Sequence, residues 1–315
     1  MIITITLNPS VDRTVGINAL KIGSVNRVDL LSVDPGGKGV NVSRALSAFG
    51  AKTFALIVCG SFGSRWFTER LAELDIENEI LLVDGITRSN VTIVEEISGS
   101  VTKINEPGFG LTSEMVAEVK SALGNLAQPE SWVVLAGRLN PGADSDTYRH
   151  LVDYAHSLGA KVAVDASGAE LLSAAKNAKP DLIKPNQHEL AELVGRELHT
   201  IEDIIDAAKE VLAWGVGSVL CSLGADGAIL ISASEIVHAE PAHPVVGVPV
   251  GAGDILLATF IAGGANGSAL RDAVAWSAAS VPLEGTSIPT IDQVNLIEVR
   301  INCSLDSQRP LVEVN

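Results

Sequence analysis

An aspartate at the start of a predicted helix is well suited to take a proton from a substrate. Asp254 ends the string Gly251-Ala252-Gly253-Asp254, and an apolar run follows it. The two glycines let the backbone approach a ligand closely, and the first turn of a helix offers unpaired N–H groups and the positive end of the dipole. The string therefore predicts a site for anionic oxygens, with Asp254 as the proton acceptor. Ordinary helix capping remains an alternative for this string taken alone.

A second glycine-rich string, GGKGVN at residues 36–41, stands directly before a predicted amphipathic helix. Its glycines permit close approach of a ligand, and Lys38 brings a positive charge. The string is not a Walker A phosphate loop, because the spacing Gly-x-x-x-x-Gly-Lys-Ser/Thr is absent. A flexible turn with a solvated lysine is the alternative interpretation.

A third string, KPNQHE at residues 184–189, follows a short predicted strand. Pro185 ends the strand, and the spacing of Asn186 and Glu189 puts both side chains on one helical turn. Such oxygen donors suit Mg²⁺ held through its bound waters. A capped helix start explains the same residues without a ligand.

A fourth string, SLGADG at residues 222–227, connects two predicted strands and is also typical of a hairpin with an Asp-Gly turn. Isolated charged and polar residues give weaker signals: a carboxylate at a strand end can hold sugar hydroxyls, and Arg or Lys can bind a phosphate. These weaker candidates are Asp12, Arg88, Asn90, Lys103 and Arg138.

The charge balance restricts the possible partners. The chain of 315 residues has 22 Lys and Arg against 38 Asp and Glu, which gives a formal net charge of −16. An acidic surface repels nucleic acid backbones and anionic membranes, so we expect neither as a partner. A site for an anionic substrate must then supply its own local positive charge.

Cysteine spacing and the first residues indicate the compartment. Cys59, Cys221 and Cys303 lie far apart, which argues against a disulfide framework and predicts buried, unreactive thiols. Residues 1–13 lack the basic and apolar regions of a signal peptide, and no apolar stretch is long enough to span a bilayer. We therefore expect a cytoplasmic protein.

Apolar runs of strand length alternate with helical patterns, which predicts right-handed β-α-β units and a mostly parallel sheet. The predicted strands are 2–7, 54–59, 132–136, 161–165, 181–183, 218–222 and 228–232. The predicted helices are 38–49, 64–74, 113–123, 144–158, 189–194, 201–213, 253–262 and 270–280. Ligands of such sheets bind outside the carboxyl ends of the strands, where the four strings cluster.

Two stretches interrupt this alternation. Residues 11–34 and 86–105 alternate polar and apolar positions, as half-exposed antiparallel strands do. We expect them to form one small β-sheet lid over the mouth of a large α/β domain. The large domain then comprises residues 1–10, 35–85 and 106–315.

Seven strings in this order resemble the ribokinase-like carbohydrate kinases, and most closely the 1-phosphofructokinase and tagatose-6-phosphate kinase branch. They are TLNPSVD at 6–12, GGKGVN at 36–41, TRSNV at 87–91, INEPG at 104–108, KPNQHE at 184–189, SLGADG at 222–227 and GAGD at 251–254. The resemblance covers nearly the whole chain. It implies a Rossmann-like, doubly wound large domain with a small β lid that often also forms a homodimer contact.

The resemblance also implies roles for individual residues, with ATP as co-substrate and Mg²⁺ as cofactor. The catalytic residues would be the base Asp254 and the anion hole formed by Gly251, Ala252 and Gly253. The ATP-binding residues would be Lys184, Asn186, Glu189, Ser222, Leu223, Gly224, Ala225, Asp226, Gly227 and Gly253, with Asn186 and Glu189 organising Mg²⁺ through water. The substrate-binding residues would be Asp12, Gly37, Lys38, Asn41, Arg88, Asn90 and Lys103, with Arg138 as an added phosphate ligand.

Phosphorylation of fructose 1-phosphate is the expected reaction, and a tagatose-6-phosphate or 6-phosphofructokinase activity is the near alternative. The sequence departs from the family pattern at Pro249, at Ile255 and in the run GRLN at 137–140. A sugar-phosphate-binding regulator with impaired catalysis therefore remains a hypothesis of another class. A nicotinamide dehydrogenase is disfavoured because no Gly-x-Gly-x-x-Gly follows the first strand, and a metal hydrolase because the histidines lack ligand spacing.

Overall fold

A computed structural model describes residues 1–248, 250–302, 306 and 308–311. Its strands are β1 (Ile2–Thr6), β2 (Ser10–Ile17), β3 (Asp29–Gly36), β4 (Thr53–Phe62), β5 (Glu77–Ile86), β6 (Arg88–Glu95), β7 (Val101–Asn105), β8 (Trp132–Ala136), β9 (Lys161–Asp165), β10 (Leu182–Ile183), β11 (Ser218–Ser222), β12 (Ala228–Ser232), β13 (Ile236–Pro241) and β14 (Val299–Asn302). Its α-helices are α1 (Lys38–Ala48), α2 (Ser64–Glu73), α3 (Ser113–Leu126), α4 (Thr147–Ser157), α5 (Gly168–Asn177), α6 (Gln187–Val194), α7 (Ile201–Ala213), α8 (Ala252–Ala262), α9 (Leu270–Ser280) and α10 (Ile291–Asn295).

The large sheet has ten strands in the order β14-β13-β12-β11-β10-β9-β8-β1-β4-β5. Neighbours from β11 to β5 run parallel. The edge beyond β11 is antiparallel. The expected mixed α/β class with a mostly parallel sheet is confirmed.

Both faces of the large sheet are covered by helices. In β8, Val133 and Leu135 pack in a core with α3 to α7, whereas Val134 and Ala136 pack in a second core with α1, α8 and α9. Successive residues of a strand point to opposite faces, so a strand buried on both faces is a continuous apolar run. This arrangement is the doubly wound architecture expected from the sequence.

Each predicted strand and helix is present, and its ends differ from the prediction by at most three residues. The prediction missed β5, β13, β14, α5 and α10. Strand β5 lies at the sheet edge and exposes many of its residues, so its apolar pattern is weak. Cys59 and Cys221 are buried and free, as expected, and Cys303 lies outside the described residues. No helix in the described ranges is long and apolar enough to cross a membrane.

A separate four-stranded sheet has the order β3-β2-β6-β7 and comes from the two stretches that interrupt the alternation. Both outer pairs are antiparallel, but the central pair of β2 and β6 is parallel. The expectation of antiparallel strands throughout was therefore wrong for this pair. Its two strands come from distant segments of chain, and alternation within one strand carries no information on the direction of its neighbour. We call these four strands the small sheet.

Candidate active site

A cavity of about 490 Å³ lies where β10 and β11 end and where α6 and α8 begin. Open α/β sheets bind ligands at this carboxyl edge. The predicted site residues that line it are Lys38, Lys184, Asn186, Glu189, Ser222, Gly224, Ala225, Gly227, Gly251, Ala252, Gly253 and Asp254. Leu223 and Asp226, also predicted to bind ATP, are buried and do not line the cavity.

The start of α8 presents backbone donors to this cavity. Gly251 caps the helix with a left-handed φ of 75°, and no side chain caps it. The Asp254 N–H already donates to the Gly251 carbonyl at 3.0 Å. The preceding N–H groups of Ala252 and Gly253 therefore belong to the unpaired first turn, which attracts anions.

Gly253 also leaves room for a cation. A Cβ atom built on Gly253 would lie 3.2 Å from the Lys184 Nζ. The ammonium group therefore packs directly against the first turn of α8. Two unpaired N–H groups and one ammonium then share a wall of the cavity, which suits a multiply charged anion.

Asp254 is 5% exposed, and its Oδ2 accepts a hydrogen bond of 2.9 Å from the Asn41 Nδ2. Burial raises the pKa of Asp254 to about 6; the Asp165 carboxylate also raises it, while Lys38, Asn41 and Lys184 oppose the rise. A carboxylate with such a pKa is ionised near neutral pH and remains basic enough to accept a proton.

Asp165 ends β9 beneath this cavity and was missed in the sequence analysis. Its side chain is fully buried, 3.0 Å from the Lys38 Nζ and 3.3 Å from the Lys184 Nζ. Burial alone would raise the pKa of Asp165, but the two ammonium groups outweigh burial and hold this pKa below its usual value. The carboxylate thus holds two lysines from separate strings beside Asp254. A polar residue that ends an apolar strand was the available signal.

Asn186 and Glu189 do lie on one turn of helix, as predicted. They form a reciprocal cap, because the Glu189 N–H donates to the Asn186 Oδ1 at 2.8 Å and the Asn186 N–H donates to the Glu189 Oε2 at 2.9 Å. The capped helix start is therefore present, and both residues also line the cavity. The two interpretations of this string are compatible.

The side-chain oxygens of Asn186 and Glu189 suit a magnesium ion whose other ligands are water and substrate phosphates. The described residues contain no cluster of three or more His, Cys, Asp or Glu side chains that could hold a metal ion. Mg²⁺ usually keeps several waters and binds one or two carboxylates together with substrate phosphates. The Glu189 carboxylate at the cavity wall meets that requirement.

The loop from Ser222 to Gly227 connects the antiparallel strands β11 and β12 through a short 3₁₀ turn, so it is a hairpin connection as well as a cavity wall. Gly227 has a φ of 78°, and a Cβ there would lie 2.1 Å from the Ala239 carbonyl oxygen. Only glycine fits this position. The Asp226 side chain contacts Arg309.

Polar residues of the small sheet lie beside Gly36, next to the start of α1. Asp12 is paired with Asn90 across β2 and β6, and its Oδ1 accepts bonds from the Asn90 Nδ2 at 3.0 Å and from the Ser10 hydroxyl at 2.7 Å. Burial raises the pKa of Asp12 above its usual value. Gly37 caps α1 with a φ of 106°.

Arg88 donates to the carbonyl oxygens of Asn8 and Glu106, both at 3.1 Å. Burial lowers the pKa of Arg88, and the nearby positive charge of Arg138 lowers it further. Neither arginine forms an ion pair with any residue in the described ranges. Two neighbouring cations that form no ion pair among the described residues make a candidate phosphate site.

Lys103 is exposed on β7, opposite Thr92 of β6. Residues directly opposite in a ladder, and residues two apart in a strand, share one face of the sheet. Lys103 therefore lies on the face that carries Asn90 and Asp12. It lies two residue pairs further along the ladder than Asn90.

Several buried polar atoms near the start of α1 find no hydrogen-bond partner among the described residues. They are the Thr6 Oγ1, the Asn8 Oδ1, the Asn41 Oδ1, the Asn90 Oδ1 and both amide atoms of Asn140. A buried polar group without a partner costs about 1–3 kcal/mol, so such a cluster indicates a site for ligand hydroxyls or water. The sequence analysis did not single out Thr6, Asn8 or Asn140 as ligand contacts.

Arg44 is a further residue that the sequence did not reveal. Its buried guanidinium donates to the Thr286 hydroxyl at 2.9 Å and lies 3.4 Å from the Asp34 Oδ1. The side chain thus connects α1 to the small sheet and to the chain that follows α9.

The structure shows where Ile255 lies, one of the residues at which the sequence departs from the family pattern. Ile255 is 1% exposed in the core, and its N–H donates to the Gly251 carbonyl at 3.1 Å, so its side chain faces away from the cavity. Pro249, the other departure beside the GAGD string, lies outside the described residues.

Comparisons with known proteins agree with this geometry. Residues 3–290 match the model of the pfkB family of carbohydrate kinases. A 1-phosphofructokinase of Vibrio cholerae is 36% identical over 307 residues, covering 96% of this chain and 96% of that protein. The phosphofructokinase-2 of Escherichia coli, solved in complex with potassium, has a TM-score of 0.88 and 28% identity, covering 94% of this chain and 97% of that one.

The tetrameric inhibited form of the Escherichia coli phosphofructokinase-2 has a TM-score of 0.85 and 27% identity, again covering 94% of this chain and 97% of that one. The family match spans most of the sequence, and four of the seven strings that carry the resemblance contribute residues to one cavity. This chain therefore belongs to the pfkB family of carbohydrate kinases.

Proposed function

We propose that this sugar-phosphate kinase transfers the γ-phosphoryl group of ATP to fructose 1-phosphate and makes fructose 1,6-bisphosphate. The Vibrio cholerae relative, named a 1-phosphofructokinase, supports this substrate. The structural observation that carries the proposal is the 2.9 Å bond between the Asn41 Nδ2 and the Asp254 Oδ2. This bond joins the candidate sugar site to a buried base at the start of α8.

Asp254 is proposed to accept the proton of the attacking sugar hydroxyl. With a pKa raised by burial to about 6, the carboxylate is mostly ionised at neutral pH. Phosphoryl transfer has a loose transition state in most analyses, so positioning and charge neutralisation supply most of the catalysis. The N–H groups of Ala252 and Gly253, together with Lys184, face the space where the transferring oxygens would lie.

ATP is proposed to lie along the cavity, with its phosphates towards α8 and its nucleoside against the loop 222–227. Mg²⁺, held by ATP phosphates, water, Asn186 and Glu189, would neutralise phosphate charge. ATP and phosphorylated sugars are charged and cross bilayers poorly, so we place the reaction in the cytoplasm.

The sugar is proposed to bind between α1 and the small sheet. Asp12 and Asn41 offer hydrogen bonds to hydroxyls, and Gly37 lets the chain approach closely. Arg88 and Arg138 would bind the existing phosphate, because they are adjacent cations without an ion-pair partner. The small sheet would then act as a lid that keeps water from the transferring phosphate.

A homodimer through the small sheet is also proposed. The small sheet and its connections expose several large apolar side chains, which are Ile22, Val25, Val28, Leu30, Leu31, Ile97 and Ile104. Exposed apolar groups in this number are typical of a contact surface. Light scattering should give the mass of a dimer for the wild type and of a monomer for the double variant Leu31→Lys, Ile104→Lys. A wild-type monomer at micromolar concentration would contradict the dimer.

The substrate proposal is tested by ADP release with Mg²⁺-ATP and a panel of acceptors: fructose 1-phosphate, fructose 6-phosphate, tagatose 6-phosphate, fructose and ribose. Asp254→Asn serves as the inactive control, and we expect it to lose about 10²- to 10⁴-fold in turnover while retaining ATP binding. Preference for fructose 1-phosphate is the expected result. Activity only on a 6-phosphate would support the kinase activity but contradict fructose 1-phosphate as the substrate. Tight sugar-phosphate binding without turnover would support the regulator hypothesis.

A further inference from the structure

The C-terminal segment 308–311 is fastened beside the start of α7. The Ile201 N–H donates to the Arg309 carbonyl at 3.2 Å, and the Leu311 N–H donates to the His199 carbonyl at 2.9 Å. Thr200 forms a β-bridge with Pro310. These backbone bonds fix the position of Arg309 independently of its side chain.

The Arg309 guanidinium extends from this segment to two carboxylates of other elements. Its Nη1 lies 2.6 Å from the Glu240 Oε2 on β13, and its Nη2 contacts the Asp226 Oδ1. The Asp226 side chain is only 7% exposed. A buried carboxylate requires a compensating charge, and Arg309 provides one.

Asp226 lies within the loop that lines the cavity. Its neighbours Ala225 and Gly227 both face the cavity, whereas Asp226 points away from it. Its carbonyl oxygen also lies 2.8 Å from the Nε2 of His238, a buried residue of β13. Asp226 therefore attaches this loop to β13 and to the C-terminal segment.

We propose that Arg309 is a positioning residue for the nucleotide, because it fixes Asp226 and so holds the loop 222–227 in the shape that contacts ATP. The inference rests on the proposed function only in placing ATP in this cavity. It assigns to the C-terminal segment a part in ATP affinity that none of the seven strings indicates. It also gives Asp226 a supporting role in place of a direct contact with ATP.

The test is direct titration of Mg²⁺-ATP by calorimetry on the full chain, which requires no turnover. Arg309→Gln should raise the Kd for ATP about tenfold, as expected for loss of a charge-assisted bond. The KM for the sugar phosphate and kcat at saturating ATP should change less than about twofold, because neither depends on this loop. Arg300→Gln changes an exposed arginine of β14 that is paired with Glu240 across the ladder; it is the matched control and should bind ATP as the wild type does.

A second comparison separates positioning from general destabilisation. Arg309→Gln leaves the Asp226 carboxylate buried without its arginine, so adding Asp226→Asn should recover part of the lost ATP affinity. Should Arg309→Gln fold poorly, Glu240→Gln removes only one anchor of Arg309 and should raise the Kd about threefold. Unchanged ATP binding in a folded variant, or equal weakening of ATP and sugar phosphate, would overturn the inference. If the wild type binds ATP without turnover, the proposed function fails while this inference stays testable by the same titration.

Discussion

Removing the Asp165 charge tests how the two lysines are held in the site. Asp165→Asn keeps the shape of the side chain but leaves two ammonium groups without their shared carboxylate. Lys184 is 5% exposed and stays buried, whereas Lys38 is 38% exposed and can turn towards solvent. Breaking a buried ion pair from one side costs about 3–5 kcal/mol. Because Lys38 can be rehydrated, we expect the free energy of unfolding to decrease by the lower end of this range, about 3 kcal/mol.

Thermal unfolding measures this loss. For a chain of this size, 1 kcal/mol corresponds to about 2 °C in Tm, so Asp165→Asn should unfold about 6 °C below the wild type. Added Mg²⁺-ATP should reduce the Tm difference between the variant and the wild type, because its phosphates offer the lysines a new counter-charge. Asp153→Asn, an exposed site 3.9 Å from Arg149, is the control and should shift Tm by less than about 1 °C.

The same variant has a kinetic consequence. The Asp165 carboxylate contributes to the raised pKa of Asp254, so its removal should move the acid limb of kcat/KM to lower pH. A Tm equal to that of the wild type, or a Tm difference that Mg²⁺-ATP leaves unchanged, would refute the assigned charge arrangement.

Three further predictions concern the base, the anion hole and the phosphate site. Asp254 must be ionised to accept a proton, and its pKa is raised to about 6. As the pH decreases through this value, kcat/KM should therefore decrease and reach about a tenth of its plateau at pH about 5. A kcat/KM that stays constant down to pH about 5 would exclude Asp254 as the base. Gly253→Ala places a Cβ 3.2 Å from the Lys184 Nζ and should lower kcat about tenfold with little change in Tm, so an unchanged kcat would show that the ammonium moves aside freely. Arg88→Ala should raise the KM for the sugar phosphate about tenfold or more, and Arg138→Ala should raise it by less, because the Arg138 side chain is more exposed. A KM in the Arg88 variant equal to that of the wild type would show that Arg88 does not contact the substrate.

Features set by residues close together in the chain, such as helix starts and buried strands, were predicted from the sequence. The start of α8 at Ala252 and the capped start of α6 at Asn186 follow from short-range rules on glycine, capping and apolar runs. Seven of the ten strands of the large sheet were found because burial on both faces makes such strands continuously apolar. Edge strands such as β5 were missed because one exposed side removes that signal.

Pairing between distant segments required the tertiary structure. The bond of Asn41 to Asp254 joins residues 213 positions apart, and the pair of Lys38 with Asp165 spans 127. No local pattern encodes such separations, because periodicity describes a segment and not its neighbour in space. The parallel pairing of β2 with β6 escaped prediction for the same reason.

The sequence by itself determined the fold class, most of the helices and strands and the strings that carry the chemistry, because these depend on residues close together in the chain. Only the tertiary structure decided that Asp165 holds two lysines, that Asp226 turns away from the cavity towards Arg309, and that buried amides without partners lie near the start of α1. Those arrangements depend on where folding brings remote side chains and on the charge that burial then requires them to share.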